Sequence, residues 1–219
     1  MLNMYKKAFL VAGGDKDNLE AFFLNIHDDE LVVGVDEGAF YLLNKGIHVD
    51  IAVGDFDSIS KDQLSILKEH IGKVVLLPSE KDLTDTEAAL EYVFHHYELD
   101  EVKLFGVFGG RVDHMISNLW IAFLPQFAKN IEKISFFDKK NKLSFYKPGA
   151  YELEKEENKK YLSFISMTAL VNLNLKQVKY PLENSNYEHP VALISNEFKS
   201  QTMQFTFDEG LLAVIQSSD

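Results

Sequence analysis

Five short apolar runs, at residues 8–12, 31–35, 51–53, 74–77 and 102–107, alternate with segments that carry helix punctuation. The runs are rich in Val, Leu and Ile and show no polar face, which is the pattern of strands buried on both sides. Between them, Ser60-Lys61-Asp62-Gln63 and Thr84-Asp85-Thr86-Glu87 have capping-box form. In that form the hydroxyl and the later Gln or Glu side chain satisfy backbone N–H groups reciprocally at a helix start. Gly46 and Gly72 stand where helices should end. Strands alternating with helices predict an α/β layer with a mainly parallel sheet and flanking helices, since parallel neighbours need a crossover. The last helix of this half is expected from about Asp113 through Trp120 and Phe123, ended or kinked by Pro125.

From about residue 131 the texture changes. Strand-like runs at 134–137, 143–146, 161–167, 191–194, 203–207 and 211–215 follow one another without a convincing helix. Thr202-Met203-Gln204-Phe205-Thr206-Phe207 alternates apolar with polar, so one face is core and the other wet. Asp208-Glu209-Gly210 reads as a hairpin turn into 211–215, and the charged stretch 152–160 as a solvated loop or hairpin tip. The division expected is an α/β domain over 1–130 and an all-β sandwich domain over 131–219. A chain of 219 residues accommodates two such domains.

The net charge of −12 argues against a general nucleic-acid binder, because phosphate neutralisation needs clustered Lys and Arg. Local basic residues must therefore handle any anionic ligand. There is no cysteine, which excludes disulfides, thiolate nucleophiles and zinc–thiolate sites and fits a reducing cytoplasm. The apolar run 8–12 is short and meets Gly13-Gly14-Asp15 at once, unlike a secretory leader. No apolar stretch approaches the roughly 18–20 residues of a membrane span.

Each chemically suggestive segment begins where a predicted strand ends. Gly13-Gly14-Asp15 follows the first, Asp36-Glu37-Gly38 the second, Gly54-Asp55-Phe56-Asp57-Ser58 the third and Gly109-Gly110-Arg111-Val112-Asp113-His114 the fifth. Lys81-Asp82-Leu83-Thr84-Asp85 lies between the fourth strand and its helix. Ligands of open α/β sheets bind beyond the carboxyl ends of strands. In extended backbone Asp55 and Asp57 project to one face, and two adjacent carboxylates repel unless a proton or cation sits between them. Mg²⁺ is commonly held by one or two carboxylates, waters and substrate phosphates. The Gly109-Gly110 pair permits close backbone approach, and Arg111 offers a bidentate fork for phosphate. Singly, each piece has a structural reading: Asp85 complements a helix dipole, Asp113 caps a helix, and His114 is a structural histidine. Together, the acidic and phosphate segments point to nucleotide-dependent phosphoryl chemistry.

The ordered set of the second, third and fifth segments with 81–85 resembles thiamine pyrophosphokinases. The likeness continues through Lys179-Tyr180-Pro181-Leu182 and Ser195-Asn196-Glu197, and so spans nearly the whole chain. It implies an α/β catalytic domain, a thiamine-binding sandwich, and a homodimer with active sites near the subunit interface. It further implies ATP plus thiamine giving AMP plus thiamine diphosphate with Mg²⁺. On this reading Asp55, Asp57, Asp82 and Asp85 hold the metal, and with Arg111 carry catalysis. The nucleotide lies along Gly13, Gly14, Asp36, Gly38, Lys81, Gly109, Gly110, Arg111, Asp113 and His114, and Ser195 and Asn196 contact thiamine. Glu37 stands where small or basic residues are usual, Gln177 where glycine is frequent, and 184–190 lacks a glycine common in the family. Two other readings use the same residues: a Mg²⁺-dependent phosphohydrolase, and a nucleotide or thiamine sensor without turnover.

Overall fold

The computed structural model describes residues 5–17, 19–23, 26–57, 59–78, 80 and 82–219. The chain forms two compact units, Met1–Lys139 and Lys140–Asp219.

In the first unit, strands β1 (Lys7–Val11), β2 (Glu30–Val35), β3 (Ile51–Gly54), β4 (Lys73–Leu76), β5 (Glu101–Phe105) and β6 (Ile134–Phe137) pair in the order β6-β5-β1-β2-β3-β4. Every pairing is parallel. Helices α1 (Glu37–Asn44), α2 (Lys61–His70), α3 (Asp85–His96) and α4 (Val112–Trp120) accompany them. The sequence places 134–137 at the start of the second domain, but β6 is hydrogen-bonded beside β5 in the parallel sheet. An isolated apolar run carries no mark of which sheet it joins. β4 is also less buried than its Val and Leu suggest, because it is an edge strand, and Leu76 is largely exposed. β1, β2 and β3 are buried on both faces, and Phe9, Val11, Val32, Leu42, Ala52 and Phe105 share one core. Each large apolar side chain fully buried there contributes about 1.5–3 kcal/mol.

The helix ends follow their local chemistry. Ser60 and Thr84 both form complete capping boxes, with Gln63 and Glu87 respectively. Gly46, at φ 69°, closes α1 in a Schellman motif: Gly46 N–H donates to Leu43 O and Ile47 N–H to Leu42 O. Gly72 plays no such part, since α2 ends through an extended Ile71. After α4 a 3₁₀ turn, Ile121–Phe123, leads to an extended Leu124 before Pro125.

The second unit is an antiparallel sandwich. β7 (Asn141–Tyr146), β9 (Tyr161–Ser166), β12 (Ala192–Asn196) and β14 (Leu212–Ser217) form one sheet, ordered β12-β9-β14-β7. β8 (Gly149–Glu154), β10 (Leu170–Lys176), β11 (Leu182–Tyr187) and β13 (Thr202–Phe207) form the other, ordered β11-β10-β13-β8. Met203, Phe205 and Phe207 of β13 pack inward with Leu162, Phe164, Leu173, Leu175 and Val214. The turn at Asp208-Glu209-Gly210 does not make a hairpin: β13 and β14 lie in different sheets. Its backbone instead bonds across to β10, with Asp208 N–H to Val171 O and Val171 N–H to Glu209 O. The first part of the charged stretch 152–160 belongs to β8, which pairs with β13 throughout its length.

Candidate active site

The strand order reverses beside β1, whose neighbours are β2 and β5. Such a switch point opens a crevice beyond the strand ends. The turns after β1 and β5 are joined by backbone bonds: Ala12 N–H to Phe105 O (2.8 Å), Gly14 N–H to Gly106 O (2.7 Å) and Asp15 N–H to Phe108 O (3.0 Å). A Cβ on Gly14 would collide with the Gly106 and Phe108 carbonyls, so glycine is required there. Gly109 and Gly110 both take positive φ, 76° and 69°, which explains the diglycine.

Gly38 lets the start of α1 settle onto β1, where a Cβ would run into the Val11 carbonyl. Asp36, just before it, holds φ 48° and ψ −122°, a costly conformation for a residue with a side chain. Strain of this kind costs about 1–3 kcal/mol and collects at functional sites. Its N–H donates to Val53 O at 2.9 Å, and a Cβ on Gly54 would come within 3.0 Å of the Asp36 Cα. The Asp36 backbone therefore abuts the segment that carries Asp55 and Asp57. Leu77 N–H, in turn, donates to Gly54 O, joining the end of β4 to the same edge.

Asp55 and Asp57 do not continue the strand. β3 ends at Gly54, and Phe56 adopts φ 56° with its ring buried in the core. Asp57 N–H donates to Asp55 Oδ1 at 3.1 Å, an Asx turn. The two carboxylates flank an anchored aromatic rather than sharing a pleat face. Asp85 is the first helical residue of α3, after its Thr84 cap, and Asp82 is exposed in the preceding turn. Lys81 lies outside the described residues. Buried Glu87 links α3 to α4: it accepts from Thr84 N–H and from the Ser117 hydroxyl. Asn118 ties α4 to the β5 turn through the Val107 carbonyl.

Among the described residues no three His, Asp or Glu side chains cluster as a metal site. The donor set fits Mg²⁺ in kind only, being hard carboxylate oxygens, of which Mg²⁺ commonly takes one or two alongside waters and phosphates.

Arg111 is exposed and its fork is already engaged: Nε donates to Asp113 Oδ1 at 3.1 Å and a terminal nitrogen to Oδ2 at 2.6 Å. That bond holds the Asp113 carboxyl below the usual carboxylate range. Asp113 is thus the partner of Arg111, and His114 is exposed next to it with its N–H on Asp113 Oδ1. The sequence reading passes over Lys16. Its Nζ donates to Gly13 O at 2.6 Å and Gly14 O at 2.9 Å and lies 5.4 Å from the Tyr41 ring centroid. Burial lowers its pKa, opposed by the charges of Glu37 and Asp15. A lysine inside a glycine turn at a strand end was the available signal.

In the second unit, Asn196 is buried and its amide makes three hydrogen bonds. Oδ1 accepts from Tyr180 N–H and Glu197 N–H, and Nδ2 donates to Tyr180 O, all at 2.9 Å. It pins Tyr180, a residue that is 58% exposed. Ser195 is exposed at φ 60°, its N–H on Ser163 Oγ. Gln177 takes φ 61°, the conformation that a glycine adopts without strain.

Residues 24–134 match the catalytic domain of thiamin pyrophosphokinase, and residues 150–212 match its vitamin B1 binding domain. The chain is 35% identical to the thiamine pyrophosphokinase of Bacillus subtilis (strain 168), over 96% of this chain and 98% of that one. A thiamin pyrophosphokinase family protein from Enterococcus faecalis has a similar structure, with a TM-score of 0.89 and 36% identity over 98% of this chain and 100% of that one. The B. subtilis enzyme structure superposes with a TM-score of 0.85 and 33% identity, over 98% of this chain and 100% of that one.

Proposed function

The chain belongs to the thiamine pyrophosphokinase family, and we propose that it transfers the pyrophosphoryl group of ATP to the hydroxyl of thiamine, giving thiamine diphosphate and AMP. The observation that carries this reading is the meeting of the β1 and β5 glycine turns at the switch point, beside strand ends bearing Asp36, Asp55 and Asp57. Asp55, Asp57, Asp82 and Asp85 are the residues that would hold Mg²⁺, which, when bound, screens charge on the phosphates. Arg111, solvent-exposed, exchanges its Asp113 partner for phosphate at little cost, since water screens an exposed ion pair. The thiamine hydroxyl attacks the β-phosphorus in line, a carboxylate of the acidic set takes its proton, and AMP leaves. Tyr180, held by Asn196, offers an exposed aromatic face to the cationic thiazolium or its pyrimidine.

A cytoplasmic homodimer with active sites near the subunit interface belongs to the same proposal. Val112, Ile116 and Trp120 form an exposed apolar stripe along α4, extended by Phe123. A stripe of this kind supports a protein partner, which sedimentation of the wild type against Trp120→Asp tests. The deciding assay incubates the protein with ATP, Mg²⁺ and thiamine and resolves AMP from ADP. AMP is expected in step with thiamine diphosphate. ADP with thiamine monophosphate would overturn the proposal, and ATP hydrolysis indifferent to thiamine would replace it with a phosphohydrolase.

A further inference from the structure

The glycine turn after β1 is a poor anion cradle as its backbone stands. The N–H groups of Ala12, Gly14 and Asp15 all point into the β5 turn and are taken by Phe105, Gly106 and Phe108 carbonyls. What the turn presents instead is the carbonyl oxygens of Gly13 and Gly14, the negative ends of their peptide dipoles. A phosphate approaching that edge meets repulsion unless a cation covers them.

We propose that Lys16 is that cation: its ammonium, seated on both glycine carbonyls, converts the β1 turn into the site that holds the phosphate chain of the nucleotide. The inference rests on the nucleotide reading above and adds to it a specific residue. An ammonium has three donors, so the Gly13 and Gly14 carbonyls leave one for a ligand. The side chain is preset for this work. Tyr41 lies against the ammonium, and the Tyr41 hydroxyl donates to the Lys16 carbonyl at 3.2 Å, fixing the backbone from which the side chain starts. Lysines ordinarily keep their heads in water. This one is drawn back over the strand end, where desolvation opposes its charge while Glu37 and Asp15 favour it. In a chain with a net charge of −12, a local cation at the end of β1 also offsets the field that would repel ATP.

The rival is a neutral brace, in which Lys16 merely ties the turn together. Three variants of the full chain separate the two: Lys16→Arg keeps the charge, Lys16→Gln keeps hydrogen-bond donors without it, and Lys16→Met keeps only the stem. The reading is ATP affinity by calorimetry, with and without Mg²⁺, beside the thiamine KM and Tm. Expected are losses of roughly tenfold or more in ATP affinity for Gln and Met, and retention within about threefold for Arg. Thiamine KM should hold in all three. ATP affinity at the wild-type level in Lys16→Gln overturns the proposal, as does an equal loss in all three variants accompanied by a fall in Tm. Should Lys16→Met fail to fold, the Arg and Gln pair still decides. A wild-type protein that binds no ATP would remove the nucleotide reading itself, whereas wild-type binding with unaffected variants would remove Lys16 alone.

Discussion

Asn196 is the position where stability and substrate binding should part most cleanly. Its amide makes three bonds, to Tyr180 N–H, Tyr180 O and Glu197 N–H, from a buried site. At about 1 kcal/mol each, Asn196→Ala would lose about 3 kcal/mol if every partner stayed dry. Tyr180 is largely exposed, so water recovers part of that loss, and about 2 kcal/mol is the better figure. The melting temperature of the sandwich should fall by roughly 8–16 °C. Asn196→Asp is the sharper perturbation: it keeps the two acceptor bonds and sets an oxygen against the Tyr180 carbonyl. Both variants should raise the thiamine KM while leaving ATP affinity near wild type, because Asn196 acts through Tyr180. Urea unfolding followed by far-UV circular dichroism measures the stability, with the single tryptophan, Trp120, reporting on the first unit. Unchanged stability would refute the bonding argument. Lost stability with an unchanged thiamine KM would refute the positioning of Tyr180.

Asp57→Asn should cut turnover severely and weaken its Mg²⁺ dependence while changing stability by no more than about 0.5 kcal/mol, since Asp57 is exposed and its turn bond uses its backbone N–H. A destabilised but fully active variant would defeat the metal role. The Asp113 carboxyl is depressed by Arg111, so its favourable pairing is present above the ordinary carboxylate pKa and is lost as pH falls through the depressed value. A carboxyl ¹³C titration of Asp113 should give a midpoint below that of free aspartate, and a midpoint at or above it would contradict the pairing. Gln177→Gly should stabilise the protein by about 0.5–1 kcal/mol, because relief at φ 61° exceeds the entropy glycine adds to the unfolded chain; a lower Tm in that variant would show the conformation to be held without strain.

Local chemistry made much of the first unit legible. Buried parallel strands read as plain apolar runs, and Ser60 with Gln63 and Thr84 with Glu87 carry their helix starts in four residues each. What failed in the sandwich failed for reasons of context. In β10 the buried Leu170, Leu173 and Leu175 are out of strict alternation because Asn172, at φ 58°, sits where the register shifts. β11 is an edge strand, Leu182-Glu183-Asn184-Ser185-Asn186-Tyr187, with too little apolar content to announce itself. The turn after β13 looks like a hairpin in sequence, and only its bonds to Val171 show that the chain crosses between sheets.

The site divides along the same line. Where the candidate segments lie in the fold was readable, since each follows a strand of a parallel sheet. How their groups are engaged was not, because that depends on neighbours far away in sequence. The N–H groups around Gly13 and Gly14 are taken by a turn more than 90 residues further on, a pairing set by β1 lying against β5. Arg111 has a fork suited to phosphate, yet Asp113, two residues away, holds it. Asp55 and Asp57 do not share the pleat face that the strand argument expects, because an Asx turn anchored by buried Phe56 replaces the extended backbone. A motif thus specifies which donors and acceptors reach the crevice. The fold decides which of them a ligand meets, and at the β1 turn that leaves the carbonyls of two glycines and the ammonium of Lys16.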